Sequence, residues 1–428
     1  MAAVWHAQAV PSSSPELVNP IDAGEVAGWA ATMATTFLEE REGEDAARWE
    51  RNFAREWQPA RTWGVRDRGT WVATLRTLRR TLTVPGGDGA TTVIDADAVT
   101  MVTVAATHRR RGLLTRMLGG ALCAARERGD PVSILIAAEW PIYGRFGYAP
   151  AAFRAHRTLH RERRGCEVAG DPSRVRQVER AEFAALAADV YERVRRRRAG
   201  QVDRDPPWWE RTLGVGEWEA TRDLPHNYLV HDGDDGPDGL LAWTATSREA
   251  GLHPPLATLR AEGPEAASDA ATRDLWAYLC GIDLVDRVEL RGPVDEPATW
   301  LLTDARTLRT VEIDDHLWLK LLDVPAALSA RRYTVPGELV LEVVDDSEVS
   351  VAGRYRLTAD GDRATAEPTS APPDVTLAQT ALASAYLGGV RLRVQRIAGT
   401  VVEHTPGALQ LADAMFATAL APYNATGF

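Results

Sequence analysis

A chain of 428 residues exceeds one ordinary domain and suits about two to four of them. With 45% apolar and 25% charged residues it has globular composition, which excludes a disordered, collagenous or fibrous protein. The net charge of −11, from 60 acidic and 49 basic residues, argues against a nucleic-acid partner and suits a cationic one.

In chain order, an acidic, helix-like segment covers Phe37–Phe53. Strand-like runs follow at Trp71–Leu75 and Leu78–Val84, closed by the turn signal Pro85-Gly86-Gly87, and Val93–Val104 continues the β-branched alternation. Leu113, Leu114, Met117, Leu118, Ala121, Leu122 and Ala125 then recur at helical spacing, with a stop expected near Arg128-Gly129-Asp130. Val132–Ala137 reads as a buried strand and completes a βαβ-type unit.

From about Cys166 the composition resets. A helix over Ala181–Arg198 ends in an arginine run, and Pro206-Pro207-Trp208-Trp209 follows. Strands at Asn227–Val230 and Leu240–Thr244 flank an Asp/Gly loop, and a helix over Glu265–Cys280 precedes a strand at Arg287–Leu290. After Leu319, strands at Glu338–Val344 and Tyr355–Thr358 give way to helices over Leu377–Leu387 and Leu409–Ala421. The pattern is α/β (α+β) in three parts.

Two segments carry chemistry. In Val102-Thr103-Val104-Ala105-Ala106-Thr107-His108-Arg109-Arg110-Arg111-Gly112-Leu113-Leu114, an apolar strand enters a basic turn that opens an amphipathic helix. Unpaired N–H groups at a helix start attract phosphate, arginines add charge-assisted contacts, and a glycine admits a pyrophosphate close to the backbone. An arginine run alone would more often be a solvated helix cap; the flanking strand and helix tip the balance. Neither a Walker A loop nor a Rossmann fingerprint is present. The second segment, Ala138-Glu139-Trp140-Pro141-Ile142-Tyr143-Gly144-Arg145-Phe146-Gly147-Tyr148, places phenols after the next buried strand. Such a phenol can protonate a leaving group, although packing is the commoner fate of tyrosine.

Together these residues resemble the GNAT superfamily of acetyl-CoA-dependent N-acetyltransferases. More narrowly, THRRRGLL at Thr107–Leu114 with IYGRFGYAPA at Ile142–Ala151 is similar to the Eis family of aminoglycoside and lysine N-acetyltransferases. Looser similarity continues through Leu301–Arg306, Leu317–Leu328 and Phe428, so it covers nearly the whole chain. The resemblance implies two tandem GNAT-like domains followed by a sterol-carrier-protein-like α+β domain. The catalytic GNAT domain would occupy 1–160, a second without the cofactor fingerprint 161–310, and the sterol-carrier-like domain 311–428.

It further implies that acetyl-CoA lies on Val102, Thr103 and Val104, with its pyrophosphate on Arg109, Arg110, Arg111, Gly112 and Leu113, and with Ala138 and Glu139 nearby. Tyr143 matches the family's general acid and the carboxylate of Phe428 its general base. An α-carboxylate titrates near ~3.3–3.7 when unperturbed, so it is a weak base without desolvation or a water relay. Phe37, Glu39, Trp49 and Met101 match acceptor-pocket positions. Glu40, Glu42, Glu44 and Asp45 add negative field there or form a solvated helix face. Met101, Ala138 and Gly427 depart from the family's usual aromatic, serine and acidic residues, which bears on substrate range. Ring-like homo-hexamers are the implied assembly.

Other signals carry less. Arg193 and Arg195–Arg198 sit at an expected helix end, where cations are favoured, so no nucleic acid is expected. The Asp/Gly loop from Asp232 lacks the closing glutamate of a calcium loop, and Asn424-Ala425-Thr426 is a glycosylation sequon by chance. The nine histidines lack HExxH spacing, and no metal is expected. Cys123, Cys166 and Cys280 stand far apart, suggesting neither a disulfide framework nor a CxxC zinc site. No apolar run approaches the ~20 residues that cross a bilayer, and MAAVWHAQAV lacks secretory-signal features, so a cytoplasmic protein is expected. The leading activity is acetyl transfer to primary amines of aminoglycosides. Protein lysines or polyamines are the alternative acceptors, and a non-catalytic lipid- or CoA-binding carrier is the alternative class. The natural acceptor, its regiospecificity and the biological role stay open at the level of sequence.

Overall fold

The structure is a computed structural model that describes residues 14–39, 43–86, 91–161, 165–215, 227–248, 256–361 and 363–428. Two units divide the chain, residues 1–78 with 99–124 and residues 79–98 with 125–428.

The first unit holds β1 (Glu16–Val18), α1 (Val26–Thr36), α2 (Gly43–Arg55) and β2 (Thr62–Asp67). It also takes the start of β3 (Thr70–Pro85), the end of β4 (Thr91–Val104) and most of α3 (Leu113–Glu127). β2 pairs antiparallel with β1 and β3, for example Val65 with Leu17 and Ala73. The core is aromatic: Trp29 stacks on Phe53 at 5.9 Å and meets Trp57 edge-on at 5.3 Å, beside Ile21, Met33 and Trp71. Buried indoles need acceptors, and Trp29 and Trp57 donate to the carbonyls of Trp63 and Ile21, each at 2.9 Å. Gly120 lets α3 lie against Trp63, whose ring would be 2.6 Å from a Cβ at that position.

Local readings are corrected here. The helix expected over Phe37–Phe53 is α2 alone, starting at Gly43, and a separate α1 precedes it. Phe37 and Glu39 close α1 by donating to Met33 and Ala34 carbonyls, with Leu38 left-handed at φ 58°. The two short strands expected at 71–75 and 78–84 are one strand, β3, because Arg76 and Thr77 are buried inside it. Arg76 donates to the Glu56 carbonyl and lies over the Phe53 ring, so the polar pair does not interrupt the strand.

The second unit continues with β5 (Val132–Leu135), α4 (Trp140–Tyr143), β6 (Ala149–His160), β7 (Val175–Val178), α5 (Arg180–Arg195) and α6 (Pro206–Leu213). Then come β8 (Asn227–Gly233), β9 (Gly236–Arg248), β10 (Leu256–Glu262), β11 (Glu265–Ala266), α7 (Asp269–Gly281), β12 (Val285–Gly292), α8 (Ala298–Leu301) and β13 (Leu308–Leu321). The strand order is β5-β13-β6-β12-β10-β9-β8-β7, with β11 against β9. β13 spans residues 310 and 311, with an irregularity in its pairing to β6 between Thr310 and Glu312, and pairs antiparallel with both β5 and β6. The Asp/Gly loop from Asp232 is the hairpin turn between β8 and β9.

The chain closes with α9 (Val324–Ala330), β14 (Gly337–Val344), β15 (Gly353–Ala359), β16 (Ala364–Pro368), β17 (Val375–Ala378), α10 (Gln379–Tyr386), α11 (Leu392–Ile397), β18 (Val401–Glu403) and α12 (Ala408–Phe416). Its separate sheet runs β16-β15-β14-β17-β18. Arg331 is wholly buried there, donating to the Tyr386 and Phe416 carbonyls under the Tyr333 and Phe416 rings. Among the described residues, no helix is long and apolar enough to cross a membrane.

Three helix expectations shift in this unit. α7 starts at Asp269, not Glu265, because the Ser268 hydroxyl caps it by accepting from Ala271 N–H at 3.0 Å. Leu377 belongs to β17 and α10 begins at Gln379. α12 stops at Phe416, and residues 417–428 form an extended tail rather than helix to Ala421.

Beneath α7, His231 is fully buried between two carboxylates. Its Nδ1 meets Asp238 at 2.5 Å and its Nε2 meets Asp274 at 2.9 Å, while Ser268 and the Asp171 N–H donate to the same pair of aspartates. Removing the imidazole leaves two largely buried carboxylates facing one another, and losing one partner of such a group costs about 3–5 kcal/mol. His231→Leu is therefore expected to lower the melting temperature by several degrees in calorimetry; an unchanged transition would show the clamp to be dispensable.

Candidate active site

The basic loop grows out of β4. Met101 takes φ 53°, a local irregularity of the kind that re-aims a strand, and its carbonyl accepts from the Thr74 hydroxyl at 2.9 Å. Thr103 is buried with its hydroxyl 2.6 Å from that of Thr74, while Val102 and Val104 are half-buried. Beyond Val104, His108 meets the Asp67 carboxylate at 3.0 Å and holds it below its usual range, helped by the charges of Arg68 and Arg111. Arg110 and Gly112 both adopt left-handed backbone, φ 64° and 75°, and curl the chain into α3 at the buried Leu113. Arg109, Arg110 and Arg111 are exposed, and a Cβ built on Gly112 would meet nothing within 4 Å. A 15-residue helix thus starts directly after three exposed arginines and a glycine with open space at its Cβ position. This donor set fits a pyrophosphate by charge and by access.

The positions expected on the acceptor side fall in the same unit. Trp49 stacks on Phe53 at 4.6 Å and Met101 packs against the same aromatic cluster, so the fold brings these two together. Phe37 is 44% exposed at the end of α1, and Glu39 is exposed beside it. Glu40 and Glu42 lie outside the described residues, as do the side chains of Glu44 and Asp45.

In the second unit Tyr143 ends the four-residue α4, with Pro141 in the first turn, and is 6% exposed. Burial pushes its phenol up to about 12, and the Glu139 charge adds to this, so the group holds its proton throughout the physiological range. Ala138 and Glu139 are exposed at the N-terminal side of α4. Behind Tyr143, Tyr148 is fully buried and shares a 2.6 Å hydrogen bond with Ser133, whose hydroxyl also donates to the Asp97 carbonyl at 2.9 Å. Gly147 turns the chain between the two tyrosines at φ 87°, where a Cβ would stand 2.7 Å from the buried ammonium of Lys320.

The tail is fastened nearly residue by residue. Ala421 donates to Asp295 and accepts from Arg198, Tyr423 donates to the Ala199 carbonyl, and Ala425 donates to Gln201. Asn424 and Thr426 are wholly buried and hydrogen-bond one another in a closed turn. The Thr426 hydroxyl also meets Tyr191 at 2.8 Å and Arg204 at 3.1 Å, and Trp208 donates to the Gly427 carbonyl at 2.7 Å. Phe428, half-buried, follows directly. The sequence reading passed over Arg204, Trp208, Asn424 and Thr426: the sequon is a buried lock, and the paired tryptophans are its wall. Arg195–Arg198 are likewise committed to Glu192, Asp269 and Asp295. Beside the tail lies a cavity of about 930 Å³ lined by Arg204, Trp208, Trp209, Glu265, Glu312 and Gly427 among others.

The second βαβ unit differs from the first at its strand end. β10 and β12 stay in parallel register from Thr258↔Arg287 to Glu262↔Arg291, and the Gly263 N–H extends the seam to the Arg291 carbonyl at 2.7 Å. The connection that follows has Glu265 in β11 and Asp269 at the first position of α7, and the helix start is already capped by Ser268.

Residues 18–151 and 200–321 each match an acetyltransferase (GNAT) domain family, and residues 324–425 match a sterol carrier protein domain. An N-acetyltransferase of Streptomyces avermitilis is 38% identical over 413 residues, covering 95% of this chain and 97% of that one. N-acetyltransferase Eis of Mycobacterium tuberculosis is 33% identical over 346 residues, covering 79% and 81%. The crystal structure of Eis1 from Mycobacterium abscessus superposes with a TM-score of 0.83 at 30% identity, over 97% of this chain and 100% of that one. With two GNAT domains, a sterol-carrier-like domain and this similarity along its length, the chain belongs to the Eis family of GNAT N-acetyltransferases.

Proposed function

We propose that this N-acetyltransferase moves the acetyl group of acetyl-CoA to primary amines of cationic small molecules, aminoglycosides foremost, at one or more positions. Acetyl-CoA is held by Val102, Thr103 and Val104, by the loop Arg109–Leu113, and by Ala138 and Glu139. Phe37, Glu39, Trp49 and Met101 line the acceptor side. The acceptor amine attacks the thioester carbonyl; Tyr143 gives its phenolic proton to the departing thiolate, and the Phe428 carboxylate receives a proton from the new amide nitrogen.

The observation that carries this reading is the anchored tail. Extended termini ordinarily fray, whereas here Asn424 and Thr426 are buried and Gly427 is hydrogen-bonded, which supports a role for the next residue that needs it held in place. The phenol of Tyr143, kept protonated by burial, suits an acid and not a base.

In this reading residues 1–160 are the catalytic domain and 161–310 a GNAT-like scaffold. The β10–β12 pairing, in register from Thr258 to Glu262, supports a second domain without its own cofactor. Residues 311–428 are the sterol-carrier-like domain that delivers the tail. The working assembly is a homo-hexamer in the cytoplasm, for which exposed Trp300, Val311 and Ile313 supply apolar surface.

Thiol release from acetyl-CoA with kanamycin tests the assignment. Deleting Phe428 is expected to lower kcat by ~10²–10⁴-fold, the range of a general base, while acetyl-CoA affinity is kept. Equal turnover would remove the base assignment, and release with peptide lysines or polyamines alone would replace the acceptor. Thr426→Val, which severs the Tyr191 and Arg204 contacts, should lower kcat in the same direction with acetyl-CoA binding intact.

Tyr143→Phe should also cost ~10²–10⁴-fold in kcat. Because the phenol's pKa is raised to about 12, its acidic form persists as pH rises. The wild-type kcat profile should therefore show no alkaline fall due to Tyr143 below pH ~10. An alkaline limb in that range that vanished in Tyr143→Phe would contradict the role.

A further inference from the structure

Cys166 and Cys280, 114 residues apart in sequence, are neighbours in the fold: their sulfurs lie 3.1 Å apart. Cys280 is buried in the last turn of α7 within an apolar core, and Cys166 is half-buried at the edge of the same cluster. The backbone on either side of Cys166 is pinned, since Asp304 N–H donates to the Gly165 carbonyl at 2.9 Å and Thr303 N–H donates to the Glu167 carbonyl at 3.0 Å. A bridge between Val168 and Leu302 continues that seam. Arg161 donates to the Cys280 carbonyl at 2.5 Å, which places a guanidinium beside the pair. The third cysteine, Cys123, is exposed on α3. The two sulfurs thus stand about 1 Å outside bonding distance, on segments that the surrounding hydrogen bonds hold in place.

We propose that Cys166 and Cys280 form a modification site, a thiol pair that closes reversibly to a disulfide under a two-electron oxidant such as hydrogen peroxide. Cys166 is the attacking sulfur. It is the more accessible of the two, and the hydrogen bond with Cys280 together with the Arg161 charge holds its thiol below the ordinary range, whereas Cys280 is pushed up by that same contact and by burial. Its thiolate displaces water from the peroxide: an S–O bond forms, the O–O bond breaks, and Cys166 becomes a sulfenic acid. The Cys280 sulfur then attacks the Cys166 sulfur. The S–S bond forms as the S–O bond breaks, and hydroxide leaves as water with the Cys280 thiol proton. Two thiols and one peroxide give one disulfide and two waters, and a dithiol reductant reverses the change. The bond staples the start of the second GNAT-like domain to the end of its α7. Sequence spacing gave no sign of it, because proximity is made by the pairing of residues 165–168 with residues 302–304.

The test uses the wild-type chain titrated with hydrogen peroxide, quenched with N-ethylmaleimide and mapped by peptide mass without reduction. The expected result is a peptide joining Cys166 to Cys280 that lacks two hydrogens and disappears with dithiothreitol. Titratable thiols should fall from three to one, Cys123 remaining alkylated. In Cys280→Ser the cross-link should be lost and Cys166 should be trapped by dimedone as the sulfenic acid. Cys166 and Cys280 both still alkylated at peroxide doses that oxidise exposed Cys123, or over-oxidation of Cys166 with no joined peptide, would overturn the proposal. Both readouts come from the wild-type chain, so they stand whether or not the variant folds.

Discussion

A single buried charge organises the second unit. Arg204 lies over the rings of Tyr191, Trp208 and Trp209 at 3.7, 4.4 and 5.0 Å, and both its terminal nitrogens donate to Glu265. A guanidinium in such a place is tolerable only while every one of these partners stays, since an unpaired buried charge costs far more than any one contact returns. Its third nitrogen, Nε, donates to the Thr426 hydroxyl. The core of the second domain and the geometry of the tail are therefore one construction: α5 and α6, the turn between them, and β11 supply the cage, and the tail threads through it. A substitution anywhere in that cage is felt at Gly427.

Two GNAT domains in one chain realise related folds with different strand ends and loops. In the first, β4 carries a left-handed residue at Met101, its end leads into exposed arginines, and Gly112 leaves open space at the helix start. In the second, the parallel strands β10 and β12 stay hydrogen-bonded to their ends, the connection to α7 carries Glu265 in β11, and Ser268 has filled the cap. The difference lies in a few backbone angles and loop charges, not in the order of elements.

The sequence made the helix α3, the strand β5 and the basic loop legible because each follows a local rule: one apolar face, one short β-branched run, one glycine after arginines. Tyr143 is singled out by the resemblance of its segment, Ile142–Ala151, to the family's motif, not by a local rule. What stayed hidden is long-range. Arg76 and Thr77 looked like a break between strands because nothing local says that Phe53 and Glu56 will cover and pair the arginine. Thr426 looked like chance because its partners, Tyr191 and Arg204, are more than 200 residues away. α12 seemed to run on to Ala421 because Ala and Leu favour helix, while the tail's contacts to residues 198–208 and to Asp295 win instead.

The proposed reaction sets two weak groups at opposite ends of the pH scale, and that separation is its chemical logic. A phenol buried as Tyr143 is stays neutral at any pH a cell offers, so it can always give a proton, and a terminal carboxylate with an unperturbed pKa of ~3.3–3.7 is always ready to accept one. Such a carboxylate is far too weak to strip a free ammonium ion. It need not do so if the amine attacks first: once nitrogen is bonded to the tetrahedral carbon its proton becomes much more acidic, and a weak base in the right place suffices. Position then replaces basicity as the quantity that matters, because a correctly oriented group works at a high effective concentration and a loose one does not. That is why a chain using its own last residue as a base would bury Asn424 and Thr426 and hydrogen-bond Gly427: the ordering cost of the tail is met in folding, before any substrate arrives.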